Sequence, residues 1–407
     1  MRIFVAIKSN PFEFMFKSIK VLLFVIPVCL VACSSAESKR IKQEEEQKIT
    51  DSTRLIYNPE DADPRIHEFM NKLHNRSAFN GNVLIAKKGK IIYKNSFGWA
   101  DYLYRDSLKL NSQFELASVS KPLTATAVLM LVEDGKLTLD QTVNDFFPNF
   151  PYEGITVKQL LTHRSGLPNY IYFIDEIWKD KKKGLTNREV MDLLIQHKPA
   201  RYNTPDARFL YNNSNYMVLA AIVEVVSGQS FTVFMQERIF RPLGMKNTNV
   251  YSKADYEKIP TDVVGHDKVW RRSVVQNFLD GPVGDKGIYS TIDDLFLFDR
   301  AMSEGRVLKT KLLDSAYVGY SKPINSIFNY GYGWRLLEKE NHAIVYHTGW
   351  WHGFKNLYIR DLKNDITIVL LSNLSNASLN RLDELYEILD MPVVRQGAYN
   401  SNGELLK

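Results

Sequence analysis

Apolar residues form extended patterns near both ends of the chain. The segment "NGNVLIAKKGKIIYKNSFGWAD" (80–101) has two apolar runs around a Lys-Lys-Gly-Lys turn, which predicts a β-hairpin. Four apolar runs near the other end predict successive strands: "YGWRLLE" (332–338), "AIVYHTG" (343–349), "FKNLYIRD" (354–361) and "DITIVLLSN" (365–373). A last helix is predicted over roughly 378–389, before Pro392.

Helical patterns occupy the middle of the chain, from Ser118 to about Met302, with turns at "SGLP" (165–168) and "PLG" (242–244). Strands at both ends with helices between them predict an α+β fold. Its sheet is mainly antiparallel and built from both chain ends, with an inserted helical lobe. We predict one folded domain over 61–390 and a C-terminal tail over 391–407.

The N-terminus has the pattern of an export signal. In "FKSIKVLLFVIPVCLVAC" lysines precede an apolar run, 21–32, that is shorter than the roughly 20 residues needed to span a bilayer. The pattern predicts a signal peptide over 1–32, and Met15 is an alternative start. Cys33 follows Leu-Val-Ala, which resembles the lipobox of bacterial lipoproteins, whose cysteine is lipidated and becomes residue one. The alternative is an ordinary signal peptide that happens to end at a cysteine.

Composition narrows the function classes. The formal charge of the 407 residues is +6, and about half of it lies in residues 1–32, so nucleic-acid binding is not expected. The only cysteines are Cys29 and Cys33. The exported body is therefore expected to have no internal disulfide, thiol nucleophile or cysteine metal site. Residues 34–60 are polar and rich in charge, which predicts a tether from a lipidated Cys33 to the folded domain.

The stretch "ELASVSKPL" (115–123) combines a helix start with candidate catalytic groups. Residues three apart share a helix face, so Ser118 and Lys121 are neighbours, whereas Ser120 points elsewhere. A serine needs a base to act as a nucleophile, and a lysine of lowered pKa can supply one. Pro122 is best tolerated in a first helical turn, where free N–H groups can also stabilise an oxyanion. Taken alone, this motif is better explained by a capping serine and a solvated lysine.

Two further motifs occur downstream. Tyr211 and Asn213 in "FLYNNSNYM" (209–217) lie at the mouth of an apolar helix, where a phenol can relay a proton and an amide can orient an acyl group. A core tyrosine and a capping asparagine are the structural alternative. His347, Thr348 and Gly349 close a predicted strand, and glycine there lets a substrate approach the backbone. A simple strand end is again the alternative.

In this order and spacing, Ser-x-x-Lys, Tyr-x-Asn and His-Thr-Gly resemble the motifs of the penicillin-recognising serine hydrolases. This superfamily includes class C β-lactamases, low-molecular-weight DD-peptidases and related esterases. The connectors "LLTHRSGLP" (160–168), "FRPLGMKNT" (240–248) and "GDKGIYSTIDDL" (284–295) also resemble those of the family. The likeness covers about 61–373 and implies a β-lactamase-like fold.

The resemblance implies roles for the catalytic residues. Ser118 would attack a carbonyl carbon and form an acyl-enzyme. Lys121 would either accept the serine proton or hold Tyr211 in its reactive state. Tyr211 would pass the proton to the leaving group and later activate water.

The resemblance also implies a substrate-binding set. Asn213 would hold the substrate amide, while His347 would line the opposite wall with Thr348 and Gly349. The backbone N–H groups of Ser118 and Trp350 would form the oxyanion hole, in which one donor contributes roughly 3–4 kcal/mol.

Some residues depart from the family pattern. The third motif has His347 where class C β-lactamases have lysine, and a neutral imidazole offers less charge to a substrate carboxylate. Trp350 and Trp351 favour a bulky or apolar substrate group, although two core indoles would look the same in sequence. No metal is expected, because His347 and His352 lack a His-Glu-x-x-His pattern or an evident carboxylate partner. No other cofactor is implied, and His163 in "LLTHRSGLP" is interpreted as structural.

These observations predict an extracytoplasmic serine hydrolase that is anchored in the cell envelope by a lipid. It would cleave an amide or ester of a small molecule or peptide, with DD-peptidase-like or esterase-like activity favoured over β-lactamase activity. The alternative from another class is a non-catalytic lipoprotein that binds cell-wall peptides. The complete set of motif residues argues against that alternative.

Substitutions separate the two serines. Ser118→Ala should abolish acylation and leave the fold intact, since a small exposed hydroxyl contributes little stability. Ser120→Ala should change little, whereas Lys121→Ala and Tyr211→Phe should each lower the rate by several orders of magnitude. Hydrolysis of an ester probe, with circular dichroism as a folding check, measures these effects. An inactive, folded Ser120→Ala protein would mean that the wrong serine is assigned.

Overall fold

A seven-stranded antiparallel sheet forms the centre of the domain in the computed structural model, which describes residues 53–252, 262–321 and 328–394. The predicted signal peptide, Cys33, most of the predicted tether and tail residues 395–407 lie outside the described residues. The end of the predicted tether, residues 53–60, includes the first two residues of a short 3₁₀ turn, Pro59–Asp61.

The sheet has the strand order β2-β1-β13-β12-β11-β10-β9. The described strands are β1 (Gly81–Lys87), β2 (Lys90–Phe97), β3 (Trp99–Asp101), β4 (Asp106–Ser107), β5 (Phe114–Glu115), β6 (Asn249–Val250), β7 (His266–Asp267), β8 (Ile288–Ser290), β9 (Phe328–Tyr330), β10 (Arg335–Lys339), β11 (His342–Trp351), β12 (Phe354–Asp361), β13 (Ile366–Ser372) and β14 (Leu374–Ser375). Strands β1 and β13 pair from Gly81–Ser372 to Lys87–Ile366, so this ladder joins the two ends of the domain. The predicted α+β fold, with a sheet from both chain ends, is confirmed.

Helices cover both faces of the sheet. The described α-helices are α1 (Pro64–Ser77), α2 (Ser120–Glu133), α3 (Val143–Phe146), α4 (Val157–Leu161), α5 (Tyr170–Ile177), α6 (Asn187–His197), α7 (Asn213–Ser227), α8 (Phe231–Met235), α9 (Ile292–Ser303), α10 (Thr310–Ala316) and α11 (Asp383–Ile388). A π-helical turn, Gln236–Phe240, continues α8. Helices α1 and α11 pack on one face, and α9 packs on the other face, which also borders the helical lobe inserted between β5 and β8.

Side chains of each central strand alternate between two hydrophobic cores. In β1, Leu84 and Ala86 join the core shared with the helical lobe, whereas Val83 and Ile85 join the core under α1 and α11. Both faces are covered, so the central strands are apolar throughout, and this explains their continuous apolar runs in sequence. The helical lobe is built around α7, which contacts α2, α4 and α6 and is buried from Ser214 to Val223.

The sequence misplaced some element boundaries. The strand predicted at 332–338 begins at Arg335, because Gly333 has a φ of 83° and forms a turn against the backbone of α2. The helix predicted over 378–389 divides into a 3₁₀ turn, Ser378–Asn380, and α11. The pattern also missed a three-stranded sheet of β5, β8 and β6 that leads directly into the Ser118 turn.

Within the described residues no single helix is long and apolar enough to cross a membrane. Helix α7 and the bent segment after it, Phe231–Phe240, have the required length and apolar composition only when taken together.

Candidate active site

Ser118 lies in a strained turn between β5 and α2. The turn is a single 3₁₀ segment, Ala117–Val119, and Ala117 has a φ of 51°, in the left-handed region that residues with a Cβ rarely adopt. The buried carboxyl group of Glu115 accepts hydrogen bonds from the backbone N–H groups of Ala117 at 3.3 Å and Gly287 at 2.9 Å. This carboxyl group therefore holds the turn in its strained shape and leaves Ser118 half-buried at the surface.

Lys121 is fully buried beneath Ser118. Its Nζ donates hydrogen bonds to Ser118 Oγ at 3.0 Å, Asn213 Oδ1 at 2.8 Å and the Asp285 carbonyl oxygen at 2.9 Å. The structure thus brings together the serine, the lysine and the asparagine that the sequence singled out. Asn213 Oδ1 and the Asp285 carbonyl oxygen can only accept, whereas the Ser118 hydroxyl can both accept and donate.

Ser120 faces away from this cluster. Its side chain is fully buried, and its Oγ accepts a hydrogen bond from the backbone N–H of Ile288 at 3.3 Å. The different directions of Ser118 and Ser120 agree with the helical spacing argument.

Tyr211 lies two residues before α7, half-buried beside Lys121. Two cations flank its ring: the Lys121 Nζ and the Arg335 guanidinium carbon each lie 5.1 Å from the ring centre. The His163 ring packs against it at 4.3 Å between centroids. Among the described residues the Tyr211 hydroxyl has no direct hydrogen bond to Ser118 or Lys121, so a proton would pass between them only after a small movement or through water.

His347 lies within β11, not at its end, and is fully buried. Its Nδ1 contacts the Thr348 carbonyl oxygen at 2.8 Å, which can only accept, so this nitrogen is the donor. Nε2 is then the acceptor from the Tyr330 hydroxyl at 3.1 Å. Burial lowers the pKa of His347 well below its usual value, and the nearby Arg335 and Lys121 charges lower it further, so the ring is neutral.

His163 is a second buried, neutral imidazole. Burial lowers its pKa strongly, and the charge of Lys121 adds to this effect. Its Nδ1 accepts a hydrogen bond from the backbone N–H of Asn212 at 3.2 Å, which ties it to the segment that carries Tyr211. Although we interpreted His163 as structural, its ring supports a candidate catalytic side chain directly.

A cavity of about 970 Å³ opens beside the hairpin of β11 and β12. Its walls include five residues from the strand side of the site: Arg335, Thr348, Gly349, Trp350 and Trp351. Ser118 is not among its lining residues, and the cavity reaches the catalytic cluster through Gly349 and Arg335. A Cβ on Gly349 would lie 2.2 Å from the Leu116 carbonyl oxygen, so glycine is required for β11 to touch the Ser118 turn. Thr348 and Gly349 line the cavity and His347 does not, and the substrate-binding role expected of His347 stays a prediction.

The two tryptophans differ. Trp350 is 71% exposed, and its indole N–H donates to Ser375 Oγ at 2.6 Å. Trp351 is half-buried, donates to Asp280 Oδ1 and stacks on His352. An apolar wall for substrate is therefore offered by Trp350 more than by Trp351.

One edge of β11 is open at the site. Strand β10 pairs with β11 only from His342 to Tyr346, and no strand in the described parts of the chain covers that edge from His347 to Trp351. The expected oxyanion donor, the backbone N–H of Trp350, belongs to this uncovered stretch. Its pairing with the Ser118 N–H stays a prediction.

Arg335 is the functional candidate that sequence reasoning missed. It lies on β10, half-buried, and lines the cavity next to Thr348. Its guanidinium gives this wall of the cavity a fixed positive charge. An arginine inside an otherwise ordinary strand pattern gives no signal in sequence, because its neighbours come from the pairing of β10 with β11.

No group of three side chains that could hold a metal ion occurs within 53–252, 262–321 and 328–394.

Comparison with known proteins adds a family match and several relatives. The β-lactamase family model matches residues 63–390. Penicillin-binding protein 4* of Bacillus subtilis is 35% identical over 315 residues, covering 74% of this chain and 69% of that protein. The putative penicillin-binding protein PbpX of the same organism is 27% identical over 364 residues, covering 87% and 84%.

A solved structure of similar shape is the D-amino acid amidase of Ochrobactrum anthropi. It has a TM-score of 0.69 at 23% identity and covers 81% of this chain and 99% of that chain. At this identity the likeness concerns the fold alone.

The buried Glu115 carboxyl predicts a pH dependence of stability. Burial raises the pKa of Glu115 from 4.5 to about 7. The folded protein therefore holds this proton more tightly than the unfolded chain, and the stability it contributes is lost as pH rises through about 7. Relative to Glu115→Gln, which cannot ionise, the native protein should lose on the order of 1–3 kcal/mol of unfolding free energy between about pH 5 and about pH 8.

Urea unfolding of both proteins across this pH range measures the difference. Glu338→Gln, at an exposed position, is the control and should follow the native profile. Parallel profiles for the native protein and Glu115→Gln would show that Glu115 does not titrate in this range.

Proposed function

This chain belongs to the β-lactamase family, and from that premise we propose that it is an extracytoplasmic serine hydrolase that cleaves an amide or ester through an acyl-enzyme on Ser118. Family membership makes it a serine hydrolase of the DD-peptidase or esterase type that acts on a small-molecule or peptide substrate. The observation that supports Ser118 as nucleophile is its 3.0 Å hydrogen bond to the buried Lys121, within one cluster with Asn213.

The proposed reaction has two halves. Ser118 Oγ bonds to the carbonyl carbon, its proton goes to a base, and the carbonyl electron pair moves to oxygen, facing the N–H groups of Ser118 and Trp350. The tetrahedral intermediate collapses, the bond to the leaving group breaks, and the leaving amine or alkoxide takes up that proton. Water then attacks the acyl-enzyme in the same way and releases the acid and free Ser118.

Two residues beside Ser118 can act as the base. Lys121 Nζ lies 3.0 Å from Ser118 Oγ and can accept its proton directly when the amine is neutral. Tyr211, whose ring centre lies 5.1 Å from Lys121 Nζ, can pass the proton on to the leaving group.

The cavity favours a substrate that carries a negative charge. Arg335 lines it beside Thr348, and Lys268 and Lys355 line it further out. A substrate with a free carboxylate next to the scissile bond would pair with Arg335. This supports a DD-peptidase-like preference over that of a simple esterase, with β-lactamase activity as the alternative. We place the protein in the cell envelope, held by lipidated Cys33, on the strength of the N-terminal sequence pattern.

Covalent labelling tests the acyl-enzyme. The full chain should form a stable adduct with fluorescent penicillin, visible by gel and as an added acyl mass, and Ser118→Ala should lose it. Labelling by a fluorophosphonate alone would support esterase or amidase chemistry in place of the DD-peptidase-like preference. The enzyme proposal fails if a folded native chain is labelled by neither probe.

Substitution of Arg335 tests the carboxylate preference. Arg335→Met should lower kcat/KM about 10- to 100-fold for a peptide with a free C-terminal carboxylate, the loss expected for one hydrogen bond to a charged group. The same peptide with a C-terminal amide is the control substrate, and its kcat/KM should change little. Equal losses on both substrates would show that Arg335 acts by positioning Tyr211.

A further inference from the structure

We propose that two adjacent loop tips near the cavity, 102–105 and 268–272, together with Val275, form a surface that docks on anionic phospholipid headgroups. This surface is named the paired-loop surface below. It is separate from the catalytic cluster of Ser118, Lys121 and Tyr211.

The apolar side chains of the paired-loop surface are unusually exposed. Leu103, Tyr104, Val269, Trp270 and Val275 are each 65–80% exposed. Other large, exposed apolar residues, such as Tyr172 and Val318, lie far from these loops in sequence. Four of these residues lie on two neighbouring tips and mark an interaction surface, because single exposed apolar residues are ordinary but clusters are not.

Each tip is shaped by an aspartate at its base. Asp101 Oδ1 accepts a hydrogen bond from the Leu103 N–H at 2.7 Å. Asp267 Oδ1 does the same for the N–H groups of Val269 at 3.0 Å and Trp270 at 2.9 Å. These turns fix the backbone while the apolar side chains point to solvent, so their exposure is built into the loops.

The two tips touch each other. The Arg271 guanidinium carbon lies 4.9 Å from the centre of the Tyr102 ring, and that ring packs edge-on against His266 at the base of the second loop. The exposed residues of both loops therefore belong to one surface.

The charged side chains of the paired-loop surface indicate the kind of partner that it binds. Four exposed cations lie at the tips: Arg105, Lys268, Arg271 and Arg272. The nearby carboxylates of Asp101, Asp106 and Asp267 lie at the loop bases, and two of them are engaged with backbone N–H groups. A tip of aromatic and aliphatic side chains surrounded by Lys and Arg matches the interface of an anionic membrane. A symmetric contact between two copies would instead bring these cations together.

The segment between Cys33 and the folded domain limits how far the domain can lie from a membrane that holds a lipid on Cys33. Twenty positions separate Cys33 from Thr53, the first described residue, and a segment of that length spans at most about 70 Å. A lipid on Cys33 would keep the domain within that distance of the bilayer. A basic, apolar surface supplies the second contact that stable, oriented membrane binding generally needs.

Docking would also orient the catalytic cavity. Lys268 and Val269 belong to the paired-loop surface and line the cavity. A protein docked through these loops therefore presents the mouth of its cavity to the headgroup layer.

A single fluorescent label tests the proposal on the full, lipidated chain. The only cysteines lie at positions 29 and 33, so Trp270→Cys places one reactive thiol on the domain for an environment-sensitive dye. In vesicles of phosphatidylcholine with about 30% phosphatidylglycerol, the dye should brighten and be quenched by a lipid that carries a headgroup nitroxide. The change should be absent in pure phosphatidylcholine and should weaken in about 0.5 M NaCl.

The control carries the same dye at Tyr172→Cys on α5, where the native side chain is 65% exposed and lies outside both loops. This dye should not respond in any vesicle. Arg271→Ser with Arg272→Ser should remove the response at position 270, and penicillin labelling of Ser118 should verify that each variant is folded.

Three results would overturn the proposal. If the dye at position 270 neither brightens nor is quenched when anionic vesicles are added, the surface does not dock. An equal response to soluble polyglutamate would mean a polyanion site. A response in pure phosphatidylcholine that grows with protein density would mean contact between copies.

Discussion

The buried amino group of Lys121 is the constraint on which the site depends. A buried polar group is tolerated only if it is hydrogen-bonded, and here the partners come from the Ser118 turn, α7 and the segment before β8. These three parts of the chain must pack in one register to satisfy Lys121. The same packing places Ser118, Asn213 and Tyr211 close together, so the requirement that stabilises the interior also assembles the candidate catalytic groups.

Positive charge dominates the interior around these groups. Lys121 and Arg335 flank Tyr211, and the two nearest imidazoles, His163 and His347, are neutral because burial and these cations both oppose protonation. The histidines therefore act as packing surfaces and hydrogen-bond partners with no charge of their own. Arg335, on the neighbouring strand β10, therefore carries the fixed charge of this wall of the cavity.

Local patterns predicted much of this molecule. Apolar runs bounded by turns identified the β1–β2 hairpin and strands β11 to β13, and the spacing of Ser118 and Lys121 identified their contact. The role of Arg335 could not be predicted, because it depends on which strand pairs with β11. Glu115 was also missed, since a carboxylate that supports a strained turn has no sequence pattern of its own. Residues brought together by pairing across hundreds of positions are not visible in a single sequence.

The ladder between β1 and β13 has a consequence for the order of folding. Gly81 pairs with Ser372, 291 positions later. Strand β1 therefore lacks its partner β13 in the central sheet until nearly the whole domain has left the ribosome. Contacts this distant close slowly, because the loop entropy must be overcome before any pairing is gained. A chain whose core forms this late remains unfolded during synthesis and can still pass through a narrow channel. For the export that we propose, this delay would be an advantage, and the strand that holds Gly349 against the serine turn would complete its pairing only after translocation.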